Sequence, residues 1–408
     1  MVAFDRNPQD FKYLRLLSRQ FPTEQSAFTE IINLSAILNL PKGTEHFMSD
    51  VHGEYEAFMH ILNNCSGVVR EHVDEIFGDT LSFDEKGELC TLIYYPREKI
   101  DLVRSRREDS PTWYKTMLDQ LIMVARSLSS RYTRSKVRKA IPRDYAYIID
   151  ELLHTHPDEN NYRVRYHERI VESILETASA DDFIESLASL IKRLAVDHLH
   201  LVGDIFDFWY EYKRVVPRGF TRLLGKLSGL TDRGIPVHFF VGNHDLWAYD
   251  YLRSECGVTL HRGPFELFDL YGQKVLVGHG DVLGPRGRGG RLLSALFRCR
   301  TLQRLFSAWL HPNFAMRFGQ WWSGSNRLSK PIAHTFRGEQ EPIVRFAADY
   351  SAAHPEVDLF VCGHIHCAEI FPLGDGRRIA FLGEWIDSPT YGTLGPEGFA
   401  LHSYPDKI

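Results

Sequence analysis

The stretch Val202-Gly203-Asp204-Ile205-Phe206-Asp207 decides the fold of this chain. It continues the apolar run that begins at Leu199, which predicts a buried strand, and Gly203-Asp204 puts a carboxylate where that strand ends. In open α/β sheets, ligands and metals collect at the carboxyl ends of the strands. The stretch therefore predicts an α/β protein with a polar site at one edge of its sheet.

Four other predicted strands also end in residues that can bind a metal. The motifs that follow them are Asp50-Val51-His52, Gly242-Asn243-His244-Asp245, Gly278-His279-Gly280-Asp281 and Gly363-His364-Ile365-His366. Each motif alone is weak, because a histidine at a strand end is usually satisfied by packing. The ordered set is specific, since it offers oxygen and imidazole ligands and no thiolate. It predicts one metal centre assembled from distant segments.

The metal centre has seven candidate ligands. They are Asp50, His52, Asp204, Asn243, His279, His364 and His366. Seven ligands exceed what one ion needs with an open position, so we expect two divalent ions, Mn²⁺ first, with Fe and Zn as alternatives. Two such ions can bridge a hydroxide that attacks phosphorus, and Asp204 is the candidate bridging carboxylate. His244 is the candidate catalytic acid or transition-state partner, and Asp207 is expected to orient its imidazole.

The composition excludes several classes of protein. With 408 residues, of which 44% are hydrophobic and 25% charged, the chain is expected to form one or two globular domains. A net charge of -5 does not indicate a nucleic-acid partner, because nucleic-acid-binding proteins usually carry an excess of positive charge. No signal-peptide pattern and no run of about 18 apolar residues is present, and the six cysteines are scattered. We therefore expect a cytoplasmic protein with reduced thiols.

The pattern divides the chain into three segments. Residues 1–53 hold an N-terminal helix and the first metal-motif strand, and residues 54–195 form a mostly helical insert. Residues 196–408 form the core that carries most of the metal motifs, with a lid-like segment at 291–330.

Two helix starts are predicted inside the insert. Ser110 can cap a helix that has Pro111 at its first position and runs through Arg131. Ser179 and Asp182 are typical of a capping box for a helix that ends at Leu194. Both signals favour a helical fold for the insert.

Residues 291–322 carry five arginines and no acidic residue. One helical face of this segment collects apolar side chains, namely Leu302, Leu305, Phe306, Trp309 and Leu310. The pattern allows two interpretations: a lid that holds acyl chains while arginines pair with phosphates, or a face that packs against the insert as ordinary core. For the lid, the candidate substrate-binding residues are Arg291, Arg298, Arg304, Phe306 and Trp309.

In these motifs the chain resembles the calcineurin-like metallophosphoesterase superfamily, and every position of the motif set is filled. The resemblance implies an α/β double β-sheet sandwich flanked by helices, here with a helical insert. It implies one metal held by Asp50, His52, Asp204 and His366, and a second held by Asp204, Asn243, His279 and His364.

Two narrower resemblances meet near Asp204. Residues 10 to about 204 are similar to class III fructose-1,6-bisphosphatase in the runs Asp50-Val51-His52-Gly53-Glu54-Tyr55-Glu56, Tyr132-Thr133-Arg134-Ser135-Lys136 and Val196-Asp197-His198-Leu199-His200. Residues 203–408 resemble UDP-2,3-diacylglucosamine hydrolase in the runs Gly203-Asp204-Ile205-Phe206-Asp207-Phe208-Trp209 and His279-Gly280-Asp281-Val282-Leu283-Gly284. The chain therefore has the pattern of a hybrid joined at Gly-Asp.

The predicted function is metal-dependent hydrolysis of a phosphoric ester or pyrophosphate. The apolar, arginine-rich segment favours the pyrophosphate of UDP-2,3-diacylglucosamine, cleaved to UMP and a lipid phosphate, over the alternative substrate, fructose 1,6-bisphosphate. The expected partner is thus a nucleotide-linked lipid, with peripheral contact at the inner membrane, or a phosphorylated small molecule. A non-catalytic hybrid scaffold is the alternative from another class; such proteins usually lose ligands, and none is lost here.

Overall fold

The computed structural model describes residues 8–38, 43–154, 160–177, 179–283, 295–328 and 336–403. Within these ranges the strands are, in chain order, β1 Thr44–Met48, β2 Val196–Val202, β3 Val237–Phe240, β4 Thr259–His261, β5 Glu266–Leu270, β6 Gln273–Val277, β7 Leu359–Cys362, β8 Ala368–Gly374, β9 Arg377–Leu382, β10 Thr390–Gly395 and β11 Gly398–Ser403. The five strands expected before the metal motifs are β1, β2, β3, β6 and β7.

Most helices lie in the connection between β1 and β2. The helices are α1 Pro8–Gln20, α2 Glu24–Leu38, α3 Tyr55–Asn63, α4 Val68–Phe77, α5 Phe83–Tyr94, α6 Pro96–Ser105, α7 Pro111–Ser129, α8 Arg134–Ala140, α9 Ala146–His154, α10 Asn160–Glu176, α11 Ala180–Ala195, α12 Thr221–Asp232, α13 Tyr251–Cys256, α14 Arg300–Trp309, α15 Pro312–Leu328 and α16 Pro342–Ala353. Short 3₁₀ turns lie at Arg143–Tyr145 and Gly338–Gln340.

The two predicted helix starts have different outcomes. The Ser110 hydroxyl accepts the backbone N–H of Trp113 at 3.2 Å, so this cap forms as expected. Ser179 makes no such bond, because its backbone (φ -102°, ψ 11°) is not the extended conformation that presents an N-cap hydroxyl to the first turn. The capping-box prediction is therefore wrong, although α11 begins and ends within a residue of its expected bounds.

Parallel pairing brings the predicted strand ends to common edges. The first sheet has the order β11-β10-β1-β2-β3-β4, in which β1 to β4 run parallel and β10 and β11 are antiparallel to their neighbours. The second has the order β5-β6-β7-β9-β8, in which β6, β7 and β9 run parallel. β1 and β2 pair directly, with Phe47 opposite His200, although the whole insert separates them in sequence.

The two sheets share one apolar layer. Phe47 and Val202 of the first sheet pack in the same buried cluster as Val275 and Val361 of the second. Helices α12 and α13 cover the outer face of the first sheet, and α16 covers that of the second. The expected α/β double-sheet sandwich flanked by helices is confirmed.

The insert has an apolar core of its own, drawn from α4 to α11. α7 and α11 pack against each other at its centre, where Leu121 and Leu187 are fully buried. Polar contacts tie this unit to the first sheet: the Lys136 ammonium pairs with Asp197 of β2 at 2.5 Å. The proposed division of the chain at residues 53 and 195 stays a prediction.

Helix α14 turns most of its apolar face to solvent. Leu302, Leu305 and Trp309 are 42%, 52% and 85% exposed, whereas Phe306 is half-buried and Gln303 is buried. The interpretation of this face as ordinary core against the insert is therefore wrong. None of the described helices combines the length and the hydropathy that crossing a membrane requires.

Candidate metal centre

The candidate ligands follow the carboxyl ends of five parallel strands. Asp50 and His52 come after β1, Asp204 after β2, and Asn243 after β3, all in the first sheet. His279 follows β6, and His364 and His366 follow β7, both in the second sheet. Because the parallel strands of each sheet end at one edge, these side chains collect in the cleft between the two edges.

Five of these residues have a backbone conformation that non-glycine residues rarely adopt. Their φ angles lie between 49° and 73°, and they are Asp50, His52, Asp204, His364 and His366. Such left-handed residues cost of order 1–3 kcal/mol each and persist where the surrounding structure fixes them, which is common in active sites. These residues lie directly after β1, β2 and β7, where the chain leaves the sheet.

Glycines next to these residues permit close approach. A Cβ on Gly203, whose φ is +82°, would collide with the imidazole of His279. A Cβ on Gly242 would collide with the carboxylate of Asp204. The glycines of the Gly-Asp and Gly-Asn-His-Asp motifs are therefore required by packing of the ligands against neighbouring backbone.

The first ligand group joins β1 to β7. Asp50 Oδ1 lies 3.3 Å from His366 Nε2 and 3.9 Å from His52 Nε2, and the two imidazole nitrogens are 3.3 Å apart. The other oxygen of Asp50 accepts the backbone N–H of His364 at 2.9 Å, which leaves Oδ1 facing the cleft. Three converging donors of this kind suit a divalent cation.

The second group is centred on Asp204. Its Oδ2 lies 3.2 Å from His279 Nε2, and His364 completes the group. His52 and His244 also approach Asp204, so this carboxylate touches the ligands of both groups. A carboxylate in that position can bridge two ions, as expected from the sequence. Asn243, directly after β3, is exposed.

Backbone carbonyls orient two of the histidines. His279 Nδ1 donates to the Val202 carbonyl at 2.9 Å, and His244 Nδ1 donates to the Asp207 carbonyl at 2.7 Å. Each bond fixes the tautomer that leaves Nε2 for the cleft, the usual arrangement for a metal-binding or catalytic imidazole. The contact between Asp207 and His244 that the sequence predicted is made by the backbone carbonyl of Asp207.

Burial and neighbouring charges set the protonation states. Burial opposes ionisation of Asp50, but the hydrogen bond from His366 and the charges of His279 and His366 outweigh it and hold the pKa of the carboxyl below its usual value. Burial lowers the pKa of His52 and of His364 to about 4. Burial opposes protonation of His279 and His366, but the carboxylates of Asp204 and Asp50 outweigh it and raise the pKa of both imidazoles. A metal bound at these two histidines would compete with a proton, because the neutral imidazole is the form that binds metals.

Two carboxylates that sequence reasoning left without a role support the site. Asp245 is buried and accepts the backbone N–H groups of Gly242 at 2.5 Å and Ile205 at 3.0 Å. It therefore ties the loop after β3 to the loop after β2. Glu384 accepts N–H groups of the turn that follows it, with Ile386 at 2.6 Å. The position of Asp245 directly after Gly-Asn-His was the available signal.

The predicted substrate-binding residues divide into three cases. Arg291 lies outside the described residues. Arg298 Nη2 pairs with Asp281 Oδ2 at 2.5 Å, so it anchors the start of the α14 region to the Gly-His-Gly-Asp loop. Phe306 packs against Tyr210 and Trp247, with ring centroids 5.3 and 5.2 Å away, whereas Arg304 and Trp309 are exposed.

Two family models match the chain, each over about half of its length. Residues 154–368 match the model described as calcineurin-like phosphoesterase, so the chain belongs to that family. The second match is to a more specific family. Residues 12–218, which contain Asp50, His52 and Asp204, match the model described as Firmicute fructose-1,6-bisphosphatase, and the chain belongs to this family through that half.

Curated relatives agree with the second match. The fructose-1,6-bisphosphatase class 3 of Bacteroides thetaiotaomicron is 58% identical over 198 residues, which cover 48% of this chain and 30% of that protein. The same-named protein of Alkaliphilus metalliredigens is 54% identical over 198 residues, with the same coverage. The chain thus spans about 30% of the length of these relatives.

Among solved structures, vacuolar protein sorting 29 of Cryptosporidium parvum aligns over 52% of this chain and 77% of that chain, at 12% identity and a TM-score of 0.26.

The comparisons confirm the expected resemblance to class III fructose-1,6-bisphosphatase and to the calcineurin-like superfamily. The two matches cover different, overlapping parts of the chain, which fits the expected hybrid. The resemblance of residues 203–408 to UDP-2,3-diacylglucosamine hydrolase stays a prediction.

Proposed function

We propose that this chain is a dinuclear metal-dependent phosphatase that acts on a sugar bisphosphate, with fructose 1,6-bisphosphate as the candidate substrate. The observation that carries this proposal is the family match of residues 12–218, because that segment supplies three of the seven candidate ligands. The expectation of an acylated UDP-sugar as the preferred substrate has no comparable support, so the order of the two candidates is reversed.

The reaction follows from the chemistry of the two ligand groups. Two divalent ions, Mn²⁺ first, would supply an activated water and neutralise the charge on the phosphoryl oxygens. Asp50, His52 and His366 would hold one ion, and His279, His364 and Asn243 the other. The Asp204 carboxylate would serve both. His244 donates from Nδ1 to a backbone carbonyl and directs Nε2 toward Asp204; its doubly protonated imidazolium form would stabilise the transition state or protonate the leaving oxygen from Nε2.

A second candidate is hydrolysis of the pyrophosphate of UDP-2,3-diacylglucosamine. One observation favours it: on α14 and α15 the side chains of Leu305, Trp309, Phe314 and Trp321 are each more than half exposed. Phe306 of α14 packs beside this surface against Tyr210 and Trp247. Tyr210 belongs to the loop that follows β2, and Trp247 to the loop that follows β3. An apolar surface beside a phosphoesterase centre can bind an acyl chain. It offers no favourable contact to a sugar bisphosphate, which is polar and charged.

A hydrolysis screen tests both candidates. The purified chain is loaded with Mn²⁺ and given fructose 1,6-bisphosphate, UDP-2,3-diacylglucosamine and an aryl phosphate as a generic substrate. Release of phosphate from the bisphosphate with the highest kcat/KM supports the main proposal, and release of UMP supports the second. Absence of all three activities in a chain that holds both ions would contradict both and favour a non-catalytic scaffold.

The variant Asp204→Asn provides the control for this screen. Because Asp204 contacts ligands of both groups, loss of its charge should lower metal content and abolish turnover with every substrate. Metal is counted by mass spectrometry of the dialysed protein. Activity retained at the level of the unaltered chain would contradict the dinuclear assignment.

A further inference from the structure

A second group of ligand-type side chains lies at the opposite end of the same strands. Glu45 of β1 stands directly across from His198 of β2 in the parallel pairing, and His200 is two residues further along. The three ligand atoms of this group all lie within 4.8 Å of one another. Glu45 precedes Asp50 by five residues, so this group is roughly 15 Å from the candidate metal centre at the usual rise of a strand.

The spacing of these atoms matches a metal-binding group. Glu45 Oε2 lies 2.8 Å from His200 Nε2 and 3.4 Å from His198 Nδ1. Ligand atoms bound at 2.0–2.1 Å around a tetrahedral ion are separated by about 3.3 Å. His198 is already at that separation from the carboxylate, and the His200 pair needs to lengthen by only about 0.5 Å.

These side chains are buried and already paired. Glu45 and His200 are 6% and 0% exposed, and Glu45 Oε2 accepts a hydrogen bond from His200 Nε2 at 2.8 Å, so a divalent ion bound here would replace that proton. The Nδ1 atoms of His198 and His200 also make no hydrogen bond within the described part of the chain.

Aromatic neighbours hold the His200 ring in place. Phe47 stacks on it at 4.5 Å between centroids and 13° between planes, and His238 stacks on it at 4.9 Å and 10°. His238 in turn lies with its Nδ1 3.0 Å from His261 Nε2. A fixed ring keeps Nε2 aimed at Glu45, which lowers the entropy lost when a ligand atom is ordered.

We propose that Glu45, His198 and His200 form a third metal site, separate from the two-ion centre, that binds Zn²⁺. One carboxylate and two imidazoles are a ligand set that zinc accepts, with water in the fourth position. The His198 side chain is 37% exposed, so the fourth position and the path of entry lie on its side of the site. Since Glu45 lies on β1 and both histidines lie on β2, the ion would tie β1 to β2 at the end away from the catalytic cleft.

The test is a count of bound metal. The metal-depleted full chain is incubated with Zn²⁺, dialysed and measured by mass spectrometry, with the expectation of three ions per chain. His198→Ala and Glu45→Gln should each bind two. His354→Ala, which changes an exposed histidine that pairs with Glu356 on the surface, is the matched control and should bind three.

Cobalt gives an independent readout that does not depend on activity. Co²⁺ in a site of two imidazoles, one carboxylate and water absorbs strongly in the visible range, and this band should disappear in His198→Ala while hydrolysis continues at an unchanged rate. An unaltered chain that binds only two ions overturns the proposal, whatever the variants do. Three ions in both His198→Ala and Glu45→Gln overturn it equally.

Discussion

At the scale of single residues, His244 lies farther from the Asp204 carboxylate than His279 does. Its Nε2 is 4.0 Å from Asp204 Oδ2, compared with 3.2 Å for His279. We predict that His244→Ala retains two metal ions and lowers kcat by about 10²–10⁴, the range for a positioned acid or electrostatic partner. The checks are metal analysis and steady-state kinetics. Loss of one ion would make His244 a ligand.

Lys226 on α12 gives a residue-scale prediction about stability. Burial, with the charges of Arg233 and Lys192, lowers the pKa of Lys226 to about 8, and its ammonium donates to Asn63 Oδ1 at 2.7 Å. Between pH 8 and the ordinary value of 10.5 the unfolded chain therefore holds more protons than the folded one, and stability rises with pH. Below pH 8 the full cost of the buried charge is present.

The variant Lys226→Met removes that buried charge. We expect it to raise the free energy of unfolding at pH 7 by about 1–2 kcal/mol, and to give a smaller gain at pH 10, because the native lysine is then neutral. Urea unfolding at both pH values measures the difference. Arg222→Met, at an exposed position on the same helix, should change little at either pH. A loss of stability at pH 7 in Lys226→Met would contradict the assignment.

The candidate ligands could be predicted from the sequence because each lies directly after an apolar run, where strand geometry dictates its position. Other roles could not be predicted in this way. Asp245 acts through backbone N–H groups of two separate loops, and Asp207 acts through its own carbonyl. Such contacts depend on how loops fold against each other, which no local pattern encodes. The proximity of Glu45 and His198 could not be predicted either, because only the pairing of β1 with β2 brings these residues together.

At the scale of elements, α14 packs against the body of the protein through Phe306 and exposes Trp309 to solvent. We predict that Trp309→Ser raises KM for UDP-2,3-diacylglucosamine about tenfold, if this substrate is used, because an exposed indole contributes to acyl binding on the order of 1.4 kcal/mol. Cleavage of the aryl phosphate and the melting temperature should not change. Tyr13→Ser, which alters another exposed aromatic on α1, is the control. Equal effects on both substrates would rule out an acyl-binding role.

The sequence predicted the helical period of α14 but not which side is covered. Its apolar residues are spaced for one face, yet the partners of Phe306 are Tyr210 and Trp247, from loops about 100 and about 60 residues earlier. The covered side is thus decided by tertiary contacts. Strand positions were more predictable, because a short buried strand needs only an apolar run and a breaker. β7 coincides with the apolar run at 359–362, whereas β3 ends one residue before the end of the run at 237–241 and β6 begins one residue before the run at 274–277.

At the scale of the whole molecule, the insert has an apolar core of its own, whereas α1 and α2 expose apolar side chains to solvent. Leu16, Ile31 and Ile32 on these two helices are more than half exposed. We predict slow amide hydrogen exchange in α7 and α11, comparable to β2, and fast exchange in α1 and α2. Mass spectrometry of peptic fragments measures both. Fast exchange throughout residues 60–190 would instead indicate that the insert packs poorly.

The direct pairing of β1 with β2 has a consequence for the order of folding. The pair can form only after about 150 residues of chain have been closed into a loop, against about 12 for the shortest crossover, and that difference costs roughly 2 kcal/mol of chain entropy. A loop that first condenses around its own core is effectively shorter. The insert should therefore fold before the strands meet, and substitutions in its interior should slow the appearance of activity during refolding even where they leave the finished cleft unchanged.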